Sequence, residues 1–272
     1  MSSLEMVRFQ RDPDMTGLEL VEVRESAHAF PPHTHDHYLI GAMEHGAVYC
    51  DASRDKESLR PGEIFLVNPG QIHSGVPVRG SRTSYRVLHI ESKWIRQVAG
   101  EISLGDPGNL EFKSMVVRAP LLHRHVQHFS HLVGAGAERL AKESTMVGVL
   151  SSVLLGYGEM RARVPAPGRE PGAVGRVREY LAAHLDSRVS LDDLAQAAGL
   201  SRYHLLRVFK RSTGLTPHAF HVQRRVERAK SLLLTGLPIV QVAMDTGFVD
   251  QSHFTRAFKH LVGATPGQYL AG

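Results

Sequence analysis

The chain has 272 residues, 42% hydrophobic and 22% charged, with one cysteine and a net charge of +5. That composition argues against wholesale disorder, collagen or a long coiled coil; the lone Cys50 excludes an intrachain disulfide or a multi-cysteine zinc site; no apolar run reaches the roughly 18–20 residues of a membrane-spanning helix. The length predicts two domains, and without a basic-then-apolar leader the chain reads as cytoplasmic.

Residues 1–118 alternate as short strands with turn residues between them: Leu18–Val23, Tyr38–Met43, Ala47–Cys50, Ile64–Asn68 and Tyr85–His89. Many short strands separated by Gly/Pro turns predict a β-sandwich or small barrel. Two segments stand out. In PPHTHDHYLIGAMEHG, His33, His35 and His37 alternate, so all three can face one side of a strand; PGEIFLVNPGQIH ends in His73. Small barrels hold one small ligand, so His33, His35, His37, Tyr38 and His73 are the candidate ligand-binding residues. Their plainer role is as hydrogen-bonded structural histidines near a barrel mouth. Tyr49, Tyr85 and Trp94 are further candidates for aromatic walls, and Arg24 and Arg86 for holding a carboxylate. Cys50 is either a buried small hydrophobe or an oxidisable thiol.

Residues 119–163 read as helical. His123, His125, His128 and His131 scatter around the helix and form no ligand face. Met146, Leu150, Val153, Leu154 and Tyr157 recur as an apolar stripe, which either packs on the barrel or pairs with its twin across a two-fold axis. Residues 164–172, with three Pro and two Gly, read as an interdomain linker.

Residues 173–272 carry the whole excess charge, 13 Lys/Arg against seven Asp/Glu, which suggests a polyanion-binding module. They also contain a repeat. Leu191, Leu194, Ala195 and Gly199 match Ile239, Val242, Ala243 and Gly247 at an offset of 48; His204, Arg207, Phe209, Lys210, Gly214, Thr216 and Pro217 match His253, Arg256, Phe258, Lys259, Gly263, Thr265 and Pro266 at 49. Each copy reads as two helices around a tight turn. Ser190, Ser201 and Asp250 are N-cap residues, and Gly199 ends its helix. Leu205, Val208 and Phe209 in one copy, and Phe254, Ala257, Phe258 and Leu261 in the other, form the predicted buried stripes. Thr216-Pro217 and Thr265-Pro266 each start another helix.

This is helix-turn-helix geometry, in which outward residues of the second helix enter the major groove. Those residues are Arg202, Tyr203, Leu206, Arg207 and Lys210, then Gln251, Ser252, Thr255, Arg256 and Lys259. Arg bonds guanine bidentately, Gln bonds adenine, and Leu or Thr methyls touch thymine methyl; Lys210 and Lys259 suit phosphate. A connecting helix from Pro217 to Leu234, about 27 Å long, would hold two such heads in neighbouring grooves roughly 34 Å apart. Its Arg224, Arg225, Arg228 and Lys230 would add positive charge beside the DNA backbone.

On the motifs LAQAAGLSRYHLLRVFKRSTGLTP and VAMDTGFVDQSHFTRAFKHLVGATPGQY, residues 173–272 resemble the DNA-binding domain of AraC/XylS-type bacterial transcription regulators. The resemblance implies seven helices, promoter binding, base contacts from the positions of Tyr203, Leu206, Arg207, Gln251, Ser252, Thr255 and Arg256, and in many members activation through RNA polymerase. Leu206 departs from the polar residue often found there. The two histidine-bearing N-terminal segments resemble the cupin-type barrel of many such regulators. In metal-binding cupins a His-x-His pair, a Glu four or five residues on and a later His hold the metal. Here His33, His35 and His73 fit, but Leu39 and Ile40 stand where the Glu belongs and Glu44 lies too far along, so no metal or other cofactor is expected.

The expected fold is α+β and multidomain. A cupin-like effector-binding barrel (1–118) precedes a helical dimerisation or packing segment (119–163), a linker (164–172) and an all-α double helix-turn-helix domain (173–272). The expected function is a sequence-specific transcription regulator, not an enzyme, whose contacts with DNA or polymerase respond to a small molecule in the barrel. Its expected partners are promoter DNA, the effector, a second copy of the chain and RNA polymerase, but no membrane. The alternatives are a metal-dependent cupin enzyme fused to a DNA-binding domain, and a constitutive DNA-binding protein whose barrel only dimerises.

Overall fold

The computed structural model describes residues 6–52, 55–102, 110–158, 170–262 and 265–271. They divide into two compact units: residues 1–137 with 145–165, and residues 138–144 with 166–272. No helix among the described residues is long and apolar enough to cross a membrane.

The first unit is built on two antiparallel sheets. One has six strands, in the order β1 (Met6–Arg11), β2 (Leu18–Ser26), β9 (Thr83–Ile90), β4 (Tyr38–His45), β7 (Ile64–Val67) and β10 (Val116–Val117). The other has four, in the order β3 (Phe30–His33), β8 (His73–Pro77), β5 (Val48–Ala52) and β6 (Asp55–Leu59). Period-two alternation sets the inner face of the larger sheet. Val21 and Val23 on β2, and Tyr85, Val87 and His89 on β9, face the second sheet, while Glu22 and Arg86 face away. The register aligns rows across the sheet: Val21 opposite Val87, Val87 opposite Gly41, Gly41 opposite Phe65. Gly41 lets the Phe65 ring cross directly over it; a Cβ there would force the ring to shift.

Three helices complete this part of the chain. In α1 (Ser92–Ile102), Trp94 donates its indole N–H to the Thr16 carbonyl at 3.0 Å. In α2 (Pro120–Gly134), buried His123 hydrogen-bonds through Nε2 to the Met43 carbonyl at 2.7 Å. In α3 (Arg139–Tyr157), Met146, Leu150, Val153 and Leu154 are wholly buried inside the single chain. These four residues pack inside the chain, while Tyr157 at the end of the stripe is half-buried.

Among its described residues the second unit carries, besides the start of α3, seven helices: α4 (Pro171–Ala183), α5 (Leu191–Ala198), α6 (Arg202–Thr213), α7 (Pro217–Leu233), α8 (Ile239–Asp245), α9 (Gln251–Val262) and α10 (Pro266–Ala271). The caps are those the sequence predicts. Ser190 and Asp193 form a reciprocal capping box, Ser201 accepts from the His204 N–H, and Asp250 accepts from the His253 N–H. The extra residue of the second copy falls in the turn between α8 and α9. Two boundaries differ from expectation. The linker's Pro171 and Gly172 already belong to α4, with Pro at its first turn, where a missing N–H costs nothing; residues 164–169 lie outside the described residues. Leu261 is exposed, so the buried stripe of α9 is carried by Phe254 and Phe258.

Arg225 is the main correction in this unit. Expected beside DNA, it is only 2% exposed. Its Nε donates to the Leu185 carbonyl at 2.7 Å, Nη2 to the Ser187 carbonyl at 3.0 Å and Nη1 to the Glu138 carboxylate at 2.6 Å. It also lies over the Phe248 ring, and Gly247, at φ +76°, leaves room for its guanidinium. One side chain thus ties the helix joining the two hairpins to the α4–α5 loop and to the turn of the second hairpin.

Candidate functional site

The reading face of the second unit follows from helical spacing. In α6, Leu205, Val208 and Phe209 are buried, which leaves Tyr203, Leu206, Arg207 and Lys210 at i, i+3, i+4 and i+7 on the opposite side. Lys210 is exposed, Tyr203, Leu206 and Arg207 are half-buried, and the Arg207 guanidinium lies 5.3 Å from the Tyr203 ring centre. In α9, Phe254 and Phe258 are buried, and Gln251, Ser252, Arg256 and Lys259 are exposed beside half-buried Thr255. Arg202 departs from the expected set. It is 4% exposed, with Nε 3.7 Å from Asp192, so the first residue of α6 turns back onto α5 rather than outward. The joining helix α7 has 17 residues, about 25 Å at 1.5 Å each. Of its cations, Arg224 and Arg228 are exposed, and Arg224 pairs with Glu227 at 2.6 Å.

The other site lies between the two sheets of the first unit, where a cavity of about 500 Å³ opens. Its floor is aliphatic, from Val21, Val23, Leu39, Val67 and Val87. Phe9, Phe30, Phe65, Tyr85 and Cys50 add walls, and five histidines, His28, His33, His35, His73 and His89, supply most of the polarity. Among the described residues no Asp, Glu, Lys or Arg lines it. Burial pushes the Cys50 thiol up to about 12, which keeps it a protonated small hydrophobe.

Three of the predicted histidines come together. His33 and His73 are register partners across β3 and β8. The ring centres lie 4.3 Å apart for His33 and His73, 4.5 Å for His35 and His73, and 5.2 Å for His33 and His35. Burial, with the neighbouring imidazoles, holds His35 down at about 4 and lowers His73 and His89, so these rings are neutral near pH 7. His37 and Tyr38 are not brought to the cavity. The His37 ring sits 6.5 Å from His89, and buried Tyr38 donates to the Leu110 carbonyl at 2.7 Å and packs on Phe112. Tyr49 and Trp94 are also outside the lining, and Arg24 and Arg86 pair with Glu22 on the far side of the sheet. His28 and His89 line the cavity without having been singled out. The alternation of Tyr85, Val87 and His89 with buried neighbours was the available signal for His89.

A metal-binding barrel would add a carboxylate to this cluster. Glu44 is committed elsewhere, paired with Arg86 and accepting from Gln127 at 3.0 Å. The donor set at the cluster is therefore three imidazoles. Their ligand atoms lie within 4.8 Å of one another, and such a set suits zinc or a neighbouring divalent transition metal.

The chain matches two family models, an AraC-like ligand binding domain over residues 16–148 and a helix-turn-helix domain over residues 194–272. A relative from Bacillus subtilis described as an uncharacterised HTH-type transcriptional regulator, YbfI, is 33% identical over 90% of this chain and 88% of its own. The arabinose operon regulatory protein of Escherichia coli is 30% identical over 78% of this chain and 73% of its own. The crystal structure of ToxT from Vibrio cholerae aligns over 94% of this chain and 98% of that one, at 17% identity and a TM-score of 0.39.

Proposed function

The chain belongs to the AraC family, as a DNA-binding transcription regulator with a ligand-binding N-terminal domain, and from that premise we propose that a small molecule in the inter-sheet cavity sets how its two reading helices engage DNA. The observation that carries the reading is the equivalence of α6 and α9: both are capped, both bury aromatic residues on one side, and both present Arg and Lys at matching positions on the other. Arg207 and Arg256 read guanine, Gln251 reads adenine, Leu206 and Thr255 touch thymine methyl groups, and Lys210 and Lys259 hold phosphate. Tyr203 and Ser252 complete the two faces. The 25 Å of α7 suits heads placed in successive major grooves, with modest bending of the duplex.

The effector acts by population shift. It favours whichever arrangement of the chain it binds better, and it shifts nothing if it binds both equally. A cavity lined, among the described residues, mainly by aliphatic and aromatic side chains supports a receptor over an enzyme. The chain acts in the cytoplasm as a homodimer, because pairing two double-headed readers on one operator multiplies affinity through effective concentration; polymerase contact is the route to activation.

Arg256→Ala is expected to cost about 1–3 kcal/mol on a selected operator and to relax preference at one position. Lys210→Ala should weaken selected and random duplexes alike and lower the salt slope by about one. Competition binding across a salt series measures both. Equal losses on specific and random DNA for both variants would contradict direct reading.

A further inference from the structure

The polarity of the inter-sheet cavity is gathered at one end, and it is of one kind. His33, His35, His73 and His89 lie together there, with 4.3 to 5.9 Å between neighbouring ring centres. His33 and His73 each hydrogen-bond through Nδ1 to a backbone carbonyl two residues earlier, Pro31 at 2.8 Å and Gln71 at 2.9 Å. A carbonyl only accepts, so each neutral ring carries its proton on Nδ1 and presents Nε2 as a bare acceptor. Among the described residues neither Nε2 receives a hydrogen bond. His35 beside them keeps a buried Nδ1 with no hydrogen-bond partner. The Thr83 hydroxyl, in the same lining, donates instead to the Ser26 carbonyl at 3.1 Å. This end of the cavity is therefore short of a donor, and a buried acceptor left unpaired is costly.

We propose that the effector is an uncharged, elongated and mostly apolar molecule with a phenol-like head, whose O–H donates to Nε2 of His73 while its body lies along the aliphatic floor. The proposal names the ligand class of the receptor reading above and rests on it. His73 is the buried member of the His33–His73 pair, and the pairing of β3 with β8 holds both rings in register, so the acceptor is in place before the ligand arrives. From His89 to Tyr85 the inner face of β9 runs four residues, about 13 Å at 3.3 Å each, which gives the cavity length for a body beyond the head. Its volume of about 500 Å³ suits a molecule of drug-like size. Three competing classes each meet a cost. A carboxylate brings a charge that no Lys or Arg of the described lining balances, and it sets its oxygens against imidazole lone pairs. A sugar brings several hydroxyls, and those beyond the histidines would be unpaired against valine and leucine. A hydrocarbon or ether fills the floor but leaves the Nε2 acceptors without a donor.

The test uses the full chain, untagged and in chelator, with N-phenyl-1-naphthylamine as the reporter. This neutral, apolar N–H donor brightens when it leaves water, and one equivalent should bind. It is then displaced by four probes: 4-tert-butylphenol, its methyl ether, 4-tert-butylbenzoate and L-arabinose. The phenol should displace it best, with the ether and the benzoate each weaker by roughly tenfold or more and the sugar without effect. His73→Phe keeps a ring but removes the acceptor, so the preference for phenol over ether should fall toward one, with far-UV circular dichroism and DNA binding retained. His33→Phe, at the rim, should lower the preference less. An ether as strong as the phenol, a benzoate or sugar that is stronger, or an unchanged preference in His73→Phe overturns the ligand class and leaves the receptor reading standing. Failure of the reporter and of all four probes to bind overturns both. Phenol binding that leaves the affinity for a selected duplex unchanged supports the class and contradicts the receptor reading.

Discussion

Arg225→Ala is expected to destabilise the helix-turn-helix unit by about 3–5 kcal/mol, the cost of removing one partner from a buried, hydrogen-bonded ion pair. The guanidinium donates to two carbonyls, Leu185 and Ser187, and to the Glu138 carboxylate. Its loss leaves three part-buried acceptors short of a donor. Arg225→Lys should restore little, because an ammonium on a flexible stem cannot span three acceptors arranged for a planar fork. Urea titration read by hydrogen exchange in peptides of α7 isolates this unit from the first. A loss under about 1 kcal/mol, or full rescue by lysine, would contradict the role of Arg225 as the tie between the hairpins.

The second large effect is a loss of stability in acid centred on His221. This side chain is 1% exposed and hydrogen-bonds through Nε2 to the His184 carbonyl at 3.0 Å. Burial, and then the Arg225 charge, lower its pKa from 6.5 to about 4. The unfolded chain therefore takes up a proton below about pH 6.5 that the folded chain refuses until about pH 4. The stabilisation is fully present above pH 6.5 and is lost as pH falls through that window. Linkage puts the loss at about 2–3 kcal/mol between pH 7 and pH 4.5. Comparing denaturation of the wild type with His221→Phe at the two pH values isolates the term, since phenylalanine cannot titrate. A variant that loses as much stability in acid as the wild type would rule His221 out as the source.

The helix starts of the second unit were legible in sequence because caps are local chemistry. Ser190, Ser201, Asp250 and Thr216 act where their side chains meet backbone N–H groups three residues on. Arg225 was misread because it sits in a run of basic residues. Its place in the series His221, Arg225, Ala229 and Leu233, four apart and all buried, was the signal that it faces the core. Arg202 was misread by one position: an outward helix start is decided by how the turn packs on α5, which spacing alone does not encode. In the sheets, the strands with inward aliphatic residues were legible. The edge strands, and β8 inside the smaller sheet, were not: β1 is exposed along nearly its whole length, β3 contains two prolines, and β6 reads as a charged turn. The histidine cluster was half legible. Alternation put His33 and His35 on one side, but the pairing of β3 with β8 that sets His73 against His33 is a long-range register.

Selection of duplexes from a random pool, followed by hydroxyl-radical footprinting of the full chain on the winner, tests the central claim most directly. Each half-site should show two protected windows on the same side of the duplex, about one helical turn of 10–10.5 base pairs apart, and the window belonging to α9 should fade in Arg256→Ala. A single window per half-site, or a pool from which no sequence is enriched, would contradict reading by two heads.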